Sequence, residues 1–132
     1  DITEKAHVGG TKAWSTGVSM VDINADGFLD IYVCNSGDVQ GDNKQNEFFI
    51  NNGDLTFTER ASELGLDDKG FSTHASFFDY DKDGDLDLYV VNYRNDFKNN
   101  SNEKLYLRTF YGVSVFVLPT TKDGLYGQRK SH

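Results

Sequence analysis

The chain has 132 residues and a formal net charge of −8, and its 10 Phe, 7 Tyr and 1 Trp supply enough apolar surface for one domain or a few small repeats with a real core. The charge excludes a nucleic-acid binder, whose phosphate contacts need Lys and Arg clusters absent here, and fits an acidic surface or a cation binder. The single Cys34 excludes an internal disulfide framework, no Cys-x-x-Cys pair points to zinc, and no apolar run approaches the roughly 20 residues of a membrane span.

Frequent Gly and Asn between alternating β-formers read as strands joined by tight turns, an all-β chain. In chain order, the first four strands fall near 15–22, 29–35, 46–51 and 55–60, with Asn52-Gly53 as a tight hairpin turn between the last two. Strands resume near 72–79 and 86–92, then continue with weaker patterning near 103–108 and 113–118. This succession is a repeat. Residues 14–36 (WSTGVSMVDINADGFLDIYVCNS) lie over residues 71–93 (FSTHASFFDYDKDGDLDLYVVNY) at an offset of 57, with eleven of 23 positions identical. ITEKA (2–6) echoes FTERA (57–61) at an offset of 55, and Asn46-Glu47 echoes Asn102-Glu103. A period near 57 suits propeller or array units. The expectation is antiparallel four-stranded blades of a β-propeller, about two repeats within a single module spanning 1–132. Unit one occupies about 14–61 and unit two about 71–118, degenerate after 93. A two-sheet sandwich is the alternative, but it needs no long repeat. IYVCN and LYVVN are apolar on both faces, as stacked blades require.

Each unit carries D-x-[DN]-x-D-G-x-x-D. In the first it is Asp22, Asn24, Asp26, Gly27 and Asp30; in the second, Asp79, Asp81, Asp83, Gly84 and Asp87. Oxygens at positions 1, 3 and 5 converge when the chain curls, and Gly at position 6 permits the turn. The next residue, Phe28 or Asp85, offers its carbonyl, and the Asp at position 9 closes the shell. Hard oxygen donors in a flexible loop suit Ca²⁺ better than Mg²⁺. An acidic solvated turn is the bland explanation, and two copies in register weigh against it. Position 12 is Val33 or Val90 in a β-rich run, not the bidentate Glu of an EF-hand. Two Ca²⁺ sites are expected.

The stretches WSTGVSMVDINADGFLDIYV, NEFFINNGDLTFTERASELGL and FSTHASFFDYDKDGDLDLYVVN resemble the FG-GAP/VCBS family, the calcium-binding propeller repeats of integrin α-chains and many bacterial surface proteins. The order of motifs over roughly residues 2–92 is similar to the bacterial branch often joined to an ASPIC/UnbV module. The resemblance implies that each aspartate loop joins the first two strands of a blade and holds Ca²⁺. It places Asp22, Asn24, Asp26 and Asp30 in one site and Asp79, Asp81, Asp83 and Asp87 in the other. The Phe-Gly…Gly-Ala-Pro signature is blurred to WSTGV and FSTHA, and residues 93–132 lose the pattern.

No catalytic machinery is expected. His74 stands near Ser72 and Ser76, but there is no Gly-x-Ser-x-Gly elbow and its counterpart is Gly17. Cys34 aligns with Val91 and reads as a small core residue. Segments 36–47 and 93–104 read as solvated loops, the former also able to lend a ligand or a partner surface. The expected function is a non-enzymatic, calcium-binding scaffold for adhesion or interaction, secreted or at the cell surface, with a periplasmic place also open. Its partner would be a protein or a glycan, and a module of two units should self-associate, without membrane insertion. A carbohydrate-binding or polysaccharide-processing propeller is the alternative.

Overall fold

The structure is a computed structural model that describes residues 1–12, 14–37, 43–84, 86–93, 106–110 and 113–119, the last two segments by backbone alone. Its first sheet is an antiparallel meander of β1 (Ser15–Val21), β2 (Asp30–Asn35), β3 (Glu47–Asn51) and β4 (Phe57–Glu59), paired in that order. The second sheet holds β5 (Phe71–Phe78), β6 (Asp87–Tyr93), β7 (Tyr106–Phe110) and β8 (Val113–Pro119). All eight strands lie close to the positions that the alternation of residues predicts.

Two expectations are corrected here. The second sheet runs β5-β6-β8-β7, and β8 pairs parallel to β6, so unit two is not an antiparallel meander. β7 and β8 form a short-linked antiparallel hairpin, which leaves β8 rather than β7 beside β6. A parallel neighbour cannot be reached by a tight hairpin, and here β7 comes between β6 and β8 in the chain. The turn between β3 and β4 is also wider than an Asn-Gly pair. The loop runs 52–56, closed by the Asn52 amide donating to the Thr56 carbonyl at 2.9 Å, with positive φ at both Gly53 and Leu55. Asp54 fixes it by accepting from the Thr56 amide and hydroxyl at 3.0 and 2.5 Å. These hydroxyl and amide bonds hold the Asp54 carboxyl below the usual range.

Two single helical turns interrupt the strands, α1 (Thr3–Ala6) and α2 (Ala61–Leu64). Both end in a left-handed residue, His7 with φ 60° and Gly65 with φ 70°. In each, the next two amides return to helix carbonyls: His7 to Glu4 and Val8 to Thr3, Gly65 to Ser62 and Leu66 to Ala61. The structural counterpart of α1 is therefore α2, at an offset of 58. The ITEKA and FTERA match at 55 instead aligns α1 with the end of β4 and the start of α2, pairing the buried Ala6 with the buried Ala61.

The two sheets stack with β1 beside β5. The face of sheet one turned toward sheet two carries Val21, Tyr32, Cys34, Phe48 and Ile50. It meets Ala75, Leu88 and Val90 of the second sheet, with Leu64 and Leu66 closing the core. Tyr32, Phe48 and Phe77 pack ring on ring at 5.5–5.9 Å. Burying side chains of this size is worth roughly 1.5–3 kcal/mol each and dominates the stability of the stack. Polar links join the units as well. Thr16 donates to the Ser72 carbonyl at 2.5 Å, Ser19 to the Ala75 carbonyl, and the buried Asn46 amide to the Ser72 hydroxyl at 2.9 Å. The first strand of each sheet carries a bulge at the same place, between Ser15 and Gly17 and between Ser72 and His74. The 57-residue repeat is thus a repeat of backbone geometry.

Candidate metal centre

Both aspartate loops join the first two strands of their sheets, and they fold alike. Ala25 and Lys82, at position 4, have φ of 56° and 63°; Gly27 and Gly84, at position 6, have φ of 89° and 97°. Two left-handed residues so close curl the chain inward, and glycine takes the wider value without a Cβ penalty. Three hydrogen bonds recur at the same offset. The first-position carboxylate accepts from the glycine amide, Asp22 from Gly27 at 2.9 Å and Asp79 from Gly84 at 3.1 Å. The third residue accepts from the fifth amide, Asn24 from Asp26 at 3.2 Å and Asp81 from Asp83 at 3.3 Å. The ninth carboxylate accepts from the second amide, Asp30 from Ile23 at 3.0 Å and Asp87 from Tyr80 at 2.7 Å.

Each loop thereby sets one buried carboxylate beneath exposed ones. Asp30 is fully buried and Asp87 is 3% exposed, while Asp22 is half-buried and Asn24, Asp26, Asp79, Asp81 and Asp83 reach solvent. In the second loop, Asp79, Asp81 and Asp87 bring one oxygen each within 4.8 Å of one another. Asp83 stands outside that trio, and Asp85 lies outside the described residues. The first loop makes a looser carboxylate set, because Asn24 replaces the third-position acid and its amide donates to Asp26 at 2.9 Å. Phe28 is half-exposed at its expected place, its amide donating to Asp26 at 2.8 Å.

Burial and like charge act on carboxylates in both loops. Burial pushes the Asp30 carboxyl up, against the lowering effect of the Asn51 and Ile23 amides, and the charges of Asp26 and Asp22 push the same way. Asp81 is raised as well, first by desolvation and then by the charges of Asp83 and Asp87, while the Asp83 amide works against them. A dication among these oxygens would reverse both trends. The donor set, all hard oxygen on a flexible turn, fits Ca²⁺.

The remaining candidates scatter. His74 is exposed on β5 with a ring nitrogen 3.4 Å from the Ser76 hydroxyl. Cys34 is buried in β2, and burial pushes its thiol up to about 12. The sequence reading missed Asp68, whose carboxylate accepts from the Ser72 hydroxyl, the Asn92 amide and the Gly70 amide at the join between units. Only the spacing of Asp68 to Gly70 hinted at it.

The family model described as an FG-GAP-like repeat matches residues 34–90, from the end of β2 to the middle of β6. The match contains all of the second aspartate loop, and the first loop is tied to it by the internal repeat. No curated protein matches the chain.

Proposed function

We propose that this chain is a calcium-binding interaction module of the propeller type, working without catalysis in a secreted or cell-surface setting and recognising a protein or glycan partner. The FG-GAP-like match supports the propeller-like interaction module. The observation that carries the calcium reading is the convergence of Asp79, Asp81 and Asp87 in a loop whose backbone geometry is repeated at 22–30. Asp79, Asp81 and Asp87 would hold one ion, with Asp83 and Asp85 adding charge. Asp22, Asn24, Asp26 and Asp30, with the Phe28 carbonyl, would hold the other. The metal supplies charge neutralisation and fixes the strand connections; modest affinity suits the millimolar calcium outside cells.

Self-association belongs to the same reading. Ala75 and Phe77 of unit two are covered by unit one, whereas their counterparts Val18 and Met20 are 61% and 59% exposed. Val18 and Met20 lie opposite Val33 and Ile31, so an apolar strip runs across β1 and β2 on the open side of the stack. A blade face of this kind is completed by another blade face.

Thermal unfolding with and without a chelator tests the proposal. A ligand bound only to the folded state stabilises it by roughly 2.7 kcal/mol at a hundredfold excess over Kd. Chelation should lower Tm, calcium should restore it, and magnesium should restore it poorly. An unchanged melting curve after thorough chelation rejects the calcium reading.

A further inference from the structure

The contact between the two sheets joins unlike faces. Sheet one supplies Val21 and Ile23 with the Thr16 and Ser19 hydroxyls; sheet two supplies Ala75, Phe77 and Leu86 with the Ser72 and Ala75 carbonyls. The 57-residue offset maps each of these groups onto the opposite end of the stack. Ala75, Phe77 and Leu86 correspond to Val18, Met20 and Leu29, which stand exposed on the open side of sheet one, the front of the stack. Val21 and Ile23 correspond to Phe78 and Tyr80, 42% and 43% exposed on the far side of sheet two, the back. Five of the nine large hydrophobic side chains exposed among the described residues are therefore counterparts of residues that meet between the sheets. The hydroxyl donors recur with them. Thr73 and Ser76 hold the places of Thr16 and Ser19, and Thr73 donates to the Val91 carbonyl at 3.1 Å as Thr16 does to the Cys34 carbonyl at 3.2 Å.

We propose that the back of one copy of this chain docks on the front of a second copy, and that His74 holds this contact weak. The contact continues the one already made between β1 and β5; it rests on the self-association proposed above and gives it a direction. Phe78 and Tyr80 of one copy would pack with Val18, Met20 and Leu29 of the next. Its Thr73 and Ser76 hydroxyls would donate to the Ser15 and Val18 carbonyls there, the counterparts of the Ser72 and Ala75 carbonyls. Because front and back differ, the contact is heterologous, and a dimer keeps one front and one back to offer. One position departs from the repeat. Gly17 meets the Thr73 backbone with no room for a Cβ, and its counterpart on the back is His74. In the contact between copies His74 would drive its Cβ against the Thr16 carbonyl, and such overpacking weakens an otherwise matched surface.

The test is sedimentation velocity of the whole chain over a concentration series in calcium-containing buffer, with a melting curve for each variant. His74→Gly should tighten association about tenfold. Glycine within a strand destabilises the fold, so its melting curve should not rise with the affinity of the monomer state. In the His74→Gly background, Val18→Lys with Met20→Glu removes the front, and Ser76→Lys removes the back. Each of these variants alone should be monomeric. An equimolar mixture of the two should form a dimer and nothing larger, since one copy keeps a front and the other a back. Association unchanged or weakened by His74→Gly, assembly that survives Ser76→Lys, or a mixture that stays monomeric overturns the front-to-back contact. If the unmodified chain and His74→Gly both stay monomeric at every concentration, self-association itself is rejected with it.

Discussion

Gly17→Ala tests the stacking of the two units at one atom. Gly17 follows the bulge in β1, and a Cβ built there would lie 2.5 Å from the Thr73 carbonyl oxygen and 3.4 Å from the His74 Cα. Both obstacles are backbone, so no side chain can swing aside. Restoring an ordinary contact requires β1 and β5 to part by about 1 Å. That displacement would stretch the Thr16 and Ser19 hydroxyl bonds to the Ser72 and Ala75 carbonyls. Overpacking of this sort costs about 1–3 kcal/mol, offset by about 0.4–1 kcal/mol because alanine restricts the unfolded chain. The net expectation is a loss of about 1–2 kcal/mol, several degrees in Tm. Urea denaturation should show a lower midpoint with an unchanged slope. Gly9→Ala is the control, because its added methyl would sit at an ordinary 3.6 Å from the Thr3 methyl. A Gly17→Ala midpoint equal to that of the unmodified chain would refute the close approach of β1 and β5.

Asp79→Asn should remove more calcium-dependent stability than Asp22→Asn, because the second loop converges three carboxylates and the first dilutes its set with Asn24; equal losses in chelator-paired melts would show that the charge count does not govern affinity. Cys34 should resist iodoacetamide at pH 8 until the chain unfolds, since a fully buried thiol raised to about 12 stays protonated; rapid labelling in native buffer would show that β2 opens readily. Val18→Lys combined with Met20→Glu should suppress self-association in sedimentation velocity while leaving the melting curve nearly unchanged; assembly as strong as before would place the contact elsewhere.

Much of this architecture is written in local patterns. Strands from β1 to β6 follow from alternation of apolar residues, and the loops follow from Asp and Gly at fixed spacing, because both signals depend on neighbours a few positions apart. What failed depends on long-range choice or on a single irregular residue. The kinship of α1 and α2 was hidden because His7 takes the left-handed cap that Gly65 takes in α2, so the expected glycine signal is missing from one copy. The loop 52–56 was mistaken for a two-residue turn because Leu55 also adopts positive φ, which its side chain disfavours. The parallel seating of β8 against β6 is a choice between two strands of one hairpin, and neither strand's residues announce it. Within the candidate centre, the residue spacing marked Asp79, Asp81 and Asp87 correctly as neighbours in space. It could not reveal that Asp30 and Asp87 are the buried members, since burial there comes from the Asn51 amide and the packing of adjacent strands. Glu47 was read as the meeting point of a solvated loop and a strand, and its burial went unseen because the distant Gly10 and Thr11 create it.

The most direct test of the central claim is calorimetric titration of calcium into the chelator-stripped chain. Two ions should bind per chain, with the tighter one abolished by Asp87→Ala and the weaker one by Asp30→Ala. Absence of a binding isotherm, or binding that survives both substitutions, would contradict calcium ligation by the paired aspartate loops.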